Sequence, residues 1–476
     1  MSNPLYSAIK RSVTGKLLTY LIQFFALAIY ARIFTPEQFG IIASIQVFVI
    51  FFQLLADIGI GPAIINEDTF TKAQRNGIFT TTLILGIILA TLFYCFSYFL
   101  TYFYNGYNYQ NIAIIVSIGI IFNSLNIIPL TALNKDASFI KIAKIDCVTE
   151  LISLSIVYYF SLLEFGAIAL ATRSLSQGVI KFILTWFSSA KTSLGRPYFG
   201  SELYHIKKIA GFASYQFSFN LINYFSRNLD KILIGKYIGT SALGVYEKSY
   251  QLMQYPLMLT TFAMTPAIQP ILTKLRSNVD LIVEEHNKLA SRLLFISILI
   301  SFFIYINSEN IVLFLFGSQW EGVTPLIKLF SFMIPIQAIL STSGSFYQVM
   351  NKPQLLFISG LLSAILNIIA ICLGVYFNEL RFIAIGLIIS FSANFLQCYF
   401  IMFKYCFKRN IYLFYKKLMK AILIASMMCS LYIVLLIIMK SYLSTEIVIN
   451  ILQNLLLTAP SFGIFYILNR KLNFDI

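Results

Sequence analysis

Ten charged side chains fall inside long apolar runs of this 476-residue chain. Six are cations (Arg173, Lys181, Arg227, Lys231, Lys248 and Lys328) and four are anions (Asp57, Glu150, Asp230 and Glu247). Facing hydrocarbon, each would cost about 2.5–3.5 kcal/mol at a helix centre, so ten would cost roughly 30 kcal/mol. They must face one another, a water-filled space or the lipid headgroups. Their spacing groups them. Arg173, Gln177 and Lys181 recur every four residues and share one helix face. Arg227, Asp230 and Lys231 share another, with Asn228 beside them and Asn220, Asn223 and Tyr224 extending the polar stripe. Glu247, Lys248, Gln251, Gln254 and Tyr255 follow on the next run, and Tyr20 and Gln23 stand on the first.

The chemistry these residue types offer is binding rather than bond making. An Arg fork holds a phosphate-like anion bidentately, and Asn, Gln and Tyr match hydroxyl groups. The candidate binding residues are therefore Arg173, Lys181, Arg227, Lys231, Lys248, Gln23, Asn223, Tyr224 and Gln251. A second reading stays open beside this one, with Arg227–Asp230 and Glu247–Lys248 as ion pairs that hold helices together. Asp57, Glu150, Asp230 and Glu247 are the candidate coupling or ion-pair carboxylates. Asp57 and Glu150 lie toward the inner ends of their runs, where a carboxylate either carries a proton or pairs with a lysine at the interface. Enzyme signatures are missing. The two histidines, His205 and His286, fall in inner loops, and no HExxH, GxSxG or paired Cys/His pattern occurs. Gly15-Lys16 and Gly235-Lys236 lack the glycine and Ser/Thr of a phosphate loop. The chain is expected to be no enzyme and to hold no metal or organic cofactor.

The elements that position these residues follow from composition. Hydrophobic residues make up 58% of the chain, charged ones 11%, and the mean hydropathy is +0.80. A soluble protein must cover itself with polar groups, so soluble enzyme, secreted domain and disordered chain are excluded. The apolar runs are continuous for about 20 residues, which excludes a strand-alternating barrel. The fold class is an all-α polytopic membrane protein. At roughly 34 residues per span and connector, the length holds about 14 spans. They read as 12–34, 39–65, 77–103, 110–133, 145–162, 165–190, 208–237, 241–272, 288–307, 322–350, 354–377, 382–404, 416–440 and 446–468. Starting inside, the connectors and tails on the inner face collect 25 Lys and Arg, while the outer ones hold only Arg32, Lys236, Arg381 and Lys440. Both termini are expected on the cytoplasmic side. The net charge of +16 is this inner belt and requires no nucleic acid. The first run reads as a retained anchor rather than a cleaved signal. The six cysteines form no CxxC pair and imply no disulfide framework. Pro256 and Pro335 fall near the middle of long spans and are expected to kink them. Apolar residues spaced along 275–293 suggest a helix running along the inner membrane surface.

The two halves of the chain match at fixed spacing. At an offset of 204, Tyr20 meets Tyr224, Gly40 meets Gly244, and Pro62-Ala63-Ile64 meets Pro266-Ala267-Ile268. Further on, at 217, Asn134-Lys135 meets Asn351-Lys352, Tyr159-Phe160 meets Tyr376-Phe377, and Ala167-Ile168 meets Ala384-Ile385. This gives a six-helix bundle over 1–190, a cytoplasmic linker at 191–207, a second bundle over 208–405 and two additional helices over 416–476. Two parallel six-helix repeats are the plan of alternating-access transporters.

Ala31-Arg-Ile-Phe-Thr-Pro-Glu-Gln-Phe-Gly40, Phe51-Phe-Gln-Leu54, Ala56-Asp-Ile-Gly59, Arg227-Asn-Leu-Asp-Lys-Ile-Leu-Ile-Gly235 and Leu243-Gly-Val-Tyr246 resemble Wzx-type polysaccharide flippases. These form the polysaccharide branch of the MOP superfamily, which is MATE-like in fold. The resemblance spans the whole chain. It implies flipping of undecaprenyl-pyrophosphate-linked oligosaccharide units to the periplasmic or outer leaflet of a bacterial inner membrane. The process served is synthesis of O-antigen, capsule or exopolysaccharide. It further implies H⁺ or Na⁺ coupling, and a polymerase and glycosyltransferases in the same pathway. Membrane lipid is an expected partner, and a monomer is expected because the cavity forms between the halves of one chain. A drug or cation exporter, a lipid II flippase and a membrane polymerase or ligase are the alternatives. The exporter would want a net acidic cavity, and the polymerase would want a large outer loop, which this chain lacks.

Overall fold

A computed structural model describes residues 4–57, 60–66, 71–104, 107–205, 224–225, 228–262, 268, 272–273, 276–439, 441, 444 and 446–458. No strand occurs among them. The helices are α1 (Pro4–Ile33), α2 (Pro36–Asp57), α3 (Ile60–Asn66), α4 (Lys72–Phe103), α5 (Gln110–Lys135), α6 (Phe139–Leu162) and α7 (Ala167–Ser189). After them come α8 (228–237), α9 (Thr240–Leu257, ending in a wide turn over Met258–Phe262) and α10 (Val279–Leu315). The last are α11 (Val323–Ser331), α12 (Met333–Val349), α13 (Pro353–Tyr376), α14 (Leu380–Ile401, widening over Met402–Phe407), α15 (Tyr412–Met439) and α16 (Ile447–Leu456). Ten of the described helices are long and apolar enough to cross a membrane, and the bent pair α11–α12 makes an eleventh. The expected seventh span, 208–237, lies mostly outside the described residues, as does the end of the last.

By contacts the chain forms two compact units, Met1–Glu247 and Lys248–Ile476. This cut falls beyond the 191–207 linker, so compact units and sequence repeats divide the chain differently. In the first unit α5 packs along α4 and α7, and α6 along α1 and α7. The connector after α7 is bound to α4 rather than free. Arg75 Nη1 donates to Leu194 O, the Asn76 side chain accepts from Tyr198 N, and Thr80 Oγ1 accepts from Gly200 N. Arg75 is thus a buried clamp in the first turn of α4, where the sequence suggested a loop cation.

Several spans depart from the simple runs. Within the expected run 39–65 the described helices are α2, through Asp57, and α3, from Ile60, while residues 58 and 59 lie outside the described residues. At an offset of 204, Asp57 corresponds to Thr261, which lies in the wide turn closing α9. The segment 275–293 is not a separate surface helix. Asn278 caps Leu281 N, and α10 runs unbroken for 37 residues. Ile282 and Leu294 on it are buried in a core with Phe346, Tyr399, Phe403 and Phe414. His286 is in this core too, not in a loop. Five aromatic rings stand 4.7–5.7 Å from its imidazole. The last two helices belong to the second unit. On α16, Asn454 donates to Asn307 of α10 at 2.6 Å, and its neighbour Asn450 accepts from Asn310 at 2.9 Å. Such amide pairs bind helices where hydrocarbon offers no other partner.

The kink expected at Pro335 is a 53° bend between α11 and α12. Proline lacks the N–H that would bond the carbonyl four residues back, which is Ser331. That carbonyl finds another donor, the hydroxyl of Ser301 on α10, at 2.7 Å. Ser301→Ala should therefore cost about 1–3 kcal/mol, the price of an unsatisfied buried acceptor. In a Pro335→Ala background, where an N–H is restored, the same change should cost less. Thermal unfolding of the four proteins in detergent measures the coupling. Equal costs in both backgrounds would refute it.

Candidate functional site

The polar centre of the first unit is a ladder between α6 and α7. Arg173 Nη2 donates to Glu150 Oε1 at 2.8 Å, and Gln177 Nε2 donates to Glu150 Oε2 at 2.6 Å. One turn on, Lys181 Nζ lies 2.7 Å from Asp146 Oδ1. The α7 spacing of four thus meets an α6 spacing of four, with Asp146 and Glu150 on one face. Glu150 is 4% exposed, and the guanidinium of Arg173 also stacks 4.9 Å from the ring centroid of Tyr30 on α1. The partners are not sealed off: the side chains of Arg173, Lys181 and Asp146 keep 34%, 28% and 25% of their area accessible. Around the pair, Arg173 Nε, Tyr30 Oη, Thr149 Oγ1 and Ser153 Oγ are buried with no hydrogen-bond partner in the structure.

Asp146 is not among the carboxylates the sequence places inside a span, because it stands at the very edge of the expected run 145–162. α6 starts at Phe139 and carries Asp146 about two turns in. Its position four residues before Glu150, opposite a cation four residues past Gln177, was the available signal.

The second copy of the repeat makes the same contact without charge. At the offset of 217, Glu150 corresponds to Asn367 and Arg173 to Ser390. Ser390 Oγ donates to Asn367 Oδ1 at 2.6 Å, joining α14 to α13 as Arg173 joins α7 to α6. Gln177 corresponds to Asn394, which accepts from Gln397 on its own helix at 2.6 Å.

A smaller cluster lies on α8 and α9. Lys231 Nζ pairs with Glu247 Oε2 at 2.9 Å. Asp230 is 6% exposed and accepts from the Tyr246 hydroxyl at 2.5 Å and from Lys231 N at 2.8 Å. Glu247 is therefore the partner of Lys231, not of Lys248. Sequence adjacency put Glu247 and Lys248 together, but neighbouring helix residues point about 100° apart. Lys248 is buried and donates to Gln251 at 3.3 Å. Tyr224 donates to Val47 O, and Asn228 donates to Tyr224 O at 2.9 Å. Asn223 and Arg227 lie outside the described residues, and with them the Arg227–Asp230 pair. Gln23 is half-buried on α1. Asp57 accepts from Gly61 N of α3 at 3.4 Å. Lys328 stands in the last turn of α11, a favourable place for a cation. Lys236 donates to Phe103 O at the end of α4.

Gly40 and Gly244, matched in the repeat, lie against each other at the starts of α2 and α9. A Cβ on Gly40 would stand 1.6 Å from Thr240 O, and one on Gly244 would stand 1.9 Å from Pro36 O. The contact is reciprocal, because Pro36 and Thr240 are themselves matched at 204.

These features define a multi-pass membrane protein of MATE-like fold with paired charges among its helices. The fold is similar to that of the lipid II flippase MurJ in an inward closed conformation (TM-score 0.76, 15% identity, 96% of this chain and 98% of that one). It is also similar to an inward-facing multidrug resistance MATE transporter of the MOP superfamily (TM-score 0.58, 12% identity, 82% and 97%). Residues 29–325 match the model of the polysaccharide biosynthesis protein family, and the chain belongs to that family. Among curated proteins it is 24% identical to the teichuronic acid biosynthesis protein TuaB of Bacillus subtilis, over 86% of this chain and 84% of that protein. It is 20% identical to the lipopolysaccharide biosynthesis protein WzxC of Escherichia coli, over 79% and 76%.

Two predictions follow from the geometry. Glu150→Asn with Arg173→Ser transplants the neutral pair of the second copy into the first. The double variant should fold with an unfolding midpoint near that of the parent while losing polysaccharide production. Retained production would mean that the charges serve only packing. Gly40→Ala and Gly244→Ala should each destabilise by about 1–3 kcal/mol through overpacking against backbone. Gly360→Ala, which meets nothing within 4 Å, should be neutral or slightly stabilising. Thermal unfolding of the three variants checks this.

Proposed function

We propose that this protein flips lipid-linked oligosaccharide units across a bacterial inner membrane by alternating access, and that it is not an enzyme. The observation that carries the reading is the charged ladder of α6 and α7. A neutral Asn–Ser pair serves the equivalent contact in the second copy, so packing alone does not require the charges. They remain partly accessible although their helices are apolar enough to span, as expected for side chains bordering a polar path. Two cations alternate with two carboxylates and an amide. This is not an excess of either sign but a row of donors and acceptors, which matches sugar hydroxyls that both give and accept hydrogen bonds. The names of the relatives, which concern teichuronic acid and lipopolysaccharide, support a surface polysaccharide as the destination.

In this reading the prenyl-pyrophosphate anchor stays in lipid while the headgroup passes along the polar face. Arg173 and Lys181 exchange their carboxylate partners for pyrophosphate or sugar oxygens as the site opens. Glu150 and Asp146 are then free to take up H⁺ or Na⁺, which couples the step to an ion gradient. A monomer suffices, and a polymerase and glycosyltransferases act before and after it. The test is deletion of the gene with two pools measured together, surface polysaccharide and lipid-linked oligosaccharide. Loss of the polymer with complete units accumulating on lipid, restored by the intact gene, is the expected result. Unchanged pools with increased sensitivity to cationic drugs would replace this reading with a drug exporter.

A further inference from the structure

In the first unit α5 and α6 both pack along α7 but touch each other little. A groove of about 440 Å³ opens between them over α7. Its walls are Ile115 of α5, Ile156 and Phe160 of α6, and Ile168, Leu175 and Ile180 of α7, with the half-exposed Phe165 at the rim. The two hydroxyls on the wall are already bonded within α7. Thr172 Oγ1 donates to Ala169 O at 2.6 Å, and Ser176 Oγ donates to Arg173 O at 3.1 Å. The groove thus offers no free polar group to water or to a sugar, and only hydrocarbon fills such a space without loss.

Its size selects the hydrocarbon. An apolar cavity of about 150 Å³ takes benzene, so 440 Å³ takes about 18 carbons on the same scale. From Ile168 to Ile180 the helix rises about 18 Å, slightly more than one leaflet's share of a hydrocarbon core of about 30 Å. We propose that the groove holds one acyl chain of a membrane phospholipid, resident between α5 and α6. Volume and length both match a single acyl chain, whereas a polyprenyl carrier chain several times as large would be mostly outside. The chain supplies the contact that α5 and α6 do not make with each other. It braces α6, whose inner turns carry Asp146 and Glu150, against α7.

The test is native mass spectrometry of the full-length protein in mild detergent. One phospholipid per chain should remain bound. Leu175→Trp, which fills the groove, should lose it, and Leu151→Trp, on an exposed face of α6 outside the groove, should keep it. The unmodified protein gives a second readout that does not depend on the fold of a variant. After delipidation, its unfolding midpoint should rise with added phospholipids of about 16–18 carbons per chain and little with those of about 10–12. Absence of bound phospholipid, equal loss in both variants, polyprenyl phosphate bound in its place, or a midpoint indifferent to chain length would each overturn the proposal.

Discussion

A carboxylate inside hydrocarbon dictates its surroundings, and Glu150 is the case on which the first unit turns. With 4% of its surface exposed it needs hydrogen-bond donors at both oxygens, and α7 supplies them from Arg173 and Gln177. That requirement fixes the rotation of α7 about its axis and its register along α6, and so brings Lys181 onto Asp146 one turn away. The same constraint is met at two further buried polar groups among the described residues. Asp230 takes a tyrosine hydroxyl and a backbone N–H, and the carbonyl released by Pro335 takes the hydroxyl of Ser301. No water in the bilayer core would make up a missing bond.

That constraint explains which parts of the architecture could be read from the sequence. A spanning helix must be apolar along its length, so runs such as 110–133 and 354–377 announce themselves, and α5 and α13 fall where they do. Interruptions are less visible, because a helix can break without losing hydrophobicity. The wide turn over Met258–Phe262 leaves no trace in the run 241–272: it follows Pro256 but begins beyond it. A charge near a run's edge is ambiguous for another reason. Asp146 reads as the end of an interface until the helix is seen to begin at Phe139. Within a helix, spacing fixes which residues share a face, and Arg173, Gln177 and Lys181 do so. Which neighbour that face meets depends on helix rotation. The Lys231–Glu247 pairing and the donor for Ser331 O were therefore beyond a one-dimensional pattern.

The duplication separates what the scaffold needs from what it was given in addition. One feature survives in both copies: the glycines 40 and 244 that close on each other's helix starts. This is a backbone feature, and a change in one copy would have to be matched in the other, because the glycine contact is reciprocal.

The contact of the fifth with the sixth helix of each copy behaves differently. Its geometry is kept while its chemistry is not, since Asn367 and Ser390 stand where Glu150 and Arg173 stand in the first copy. A neutral hydrogen bond between small side chains is the cheaper way to join two membrane helices, because it pays no ionic desolvation. If joining helices were the only task, both copies would be expected to settle on it. The first copy instead holds two cations and two carboxylates in the same place, adds an amide to the row, and keeps several of them partly accessible. A charged pair gains something a neutral one lacks only when its members can exchange partners, each finding a new counter-charge without leaving the other stranded. The ladder meets that condition twice over within one turn, which is what the proposed path for a polar cargo requires and a rivet between helices does not.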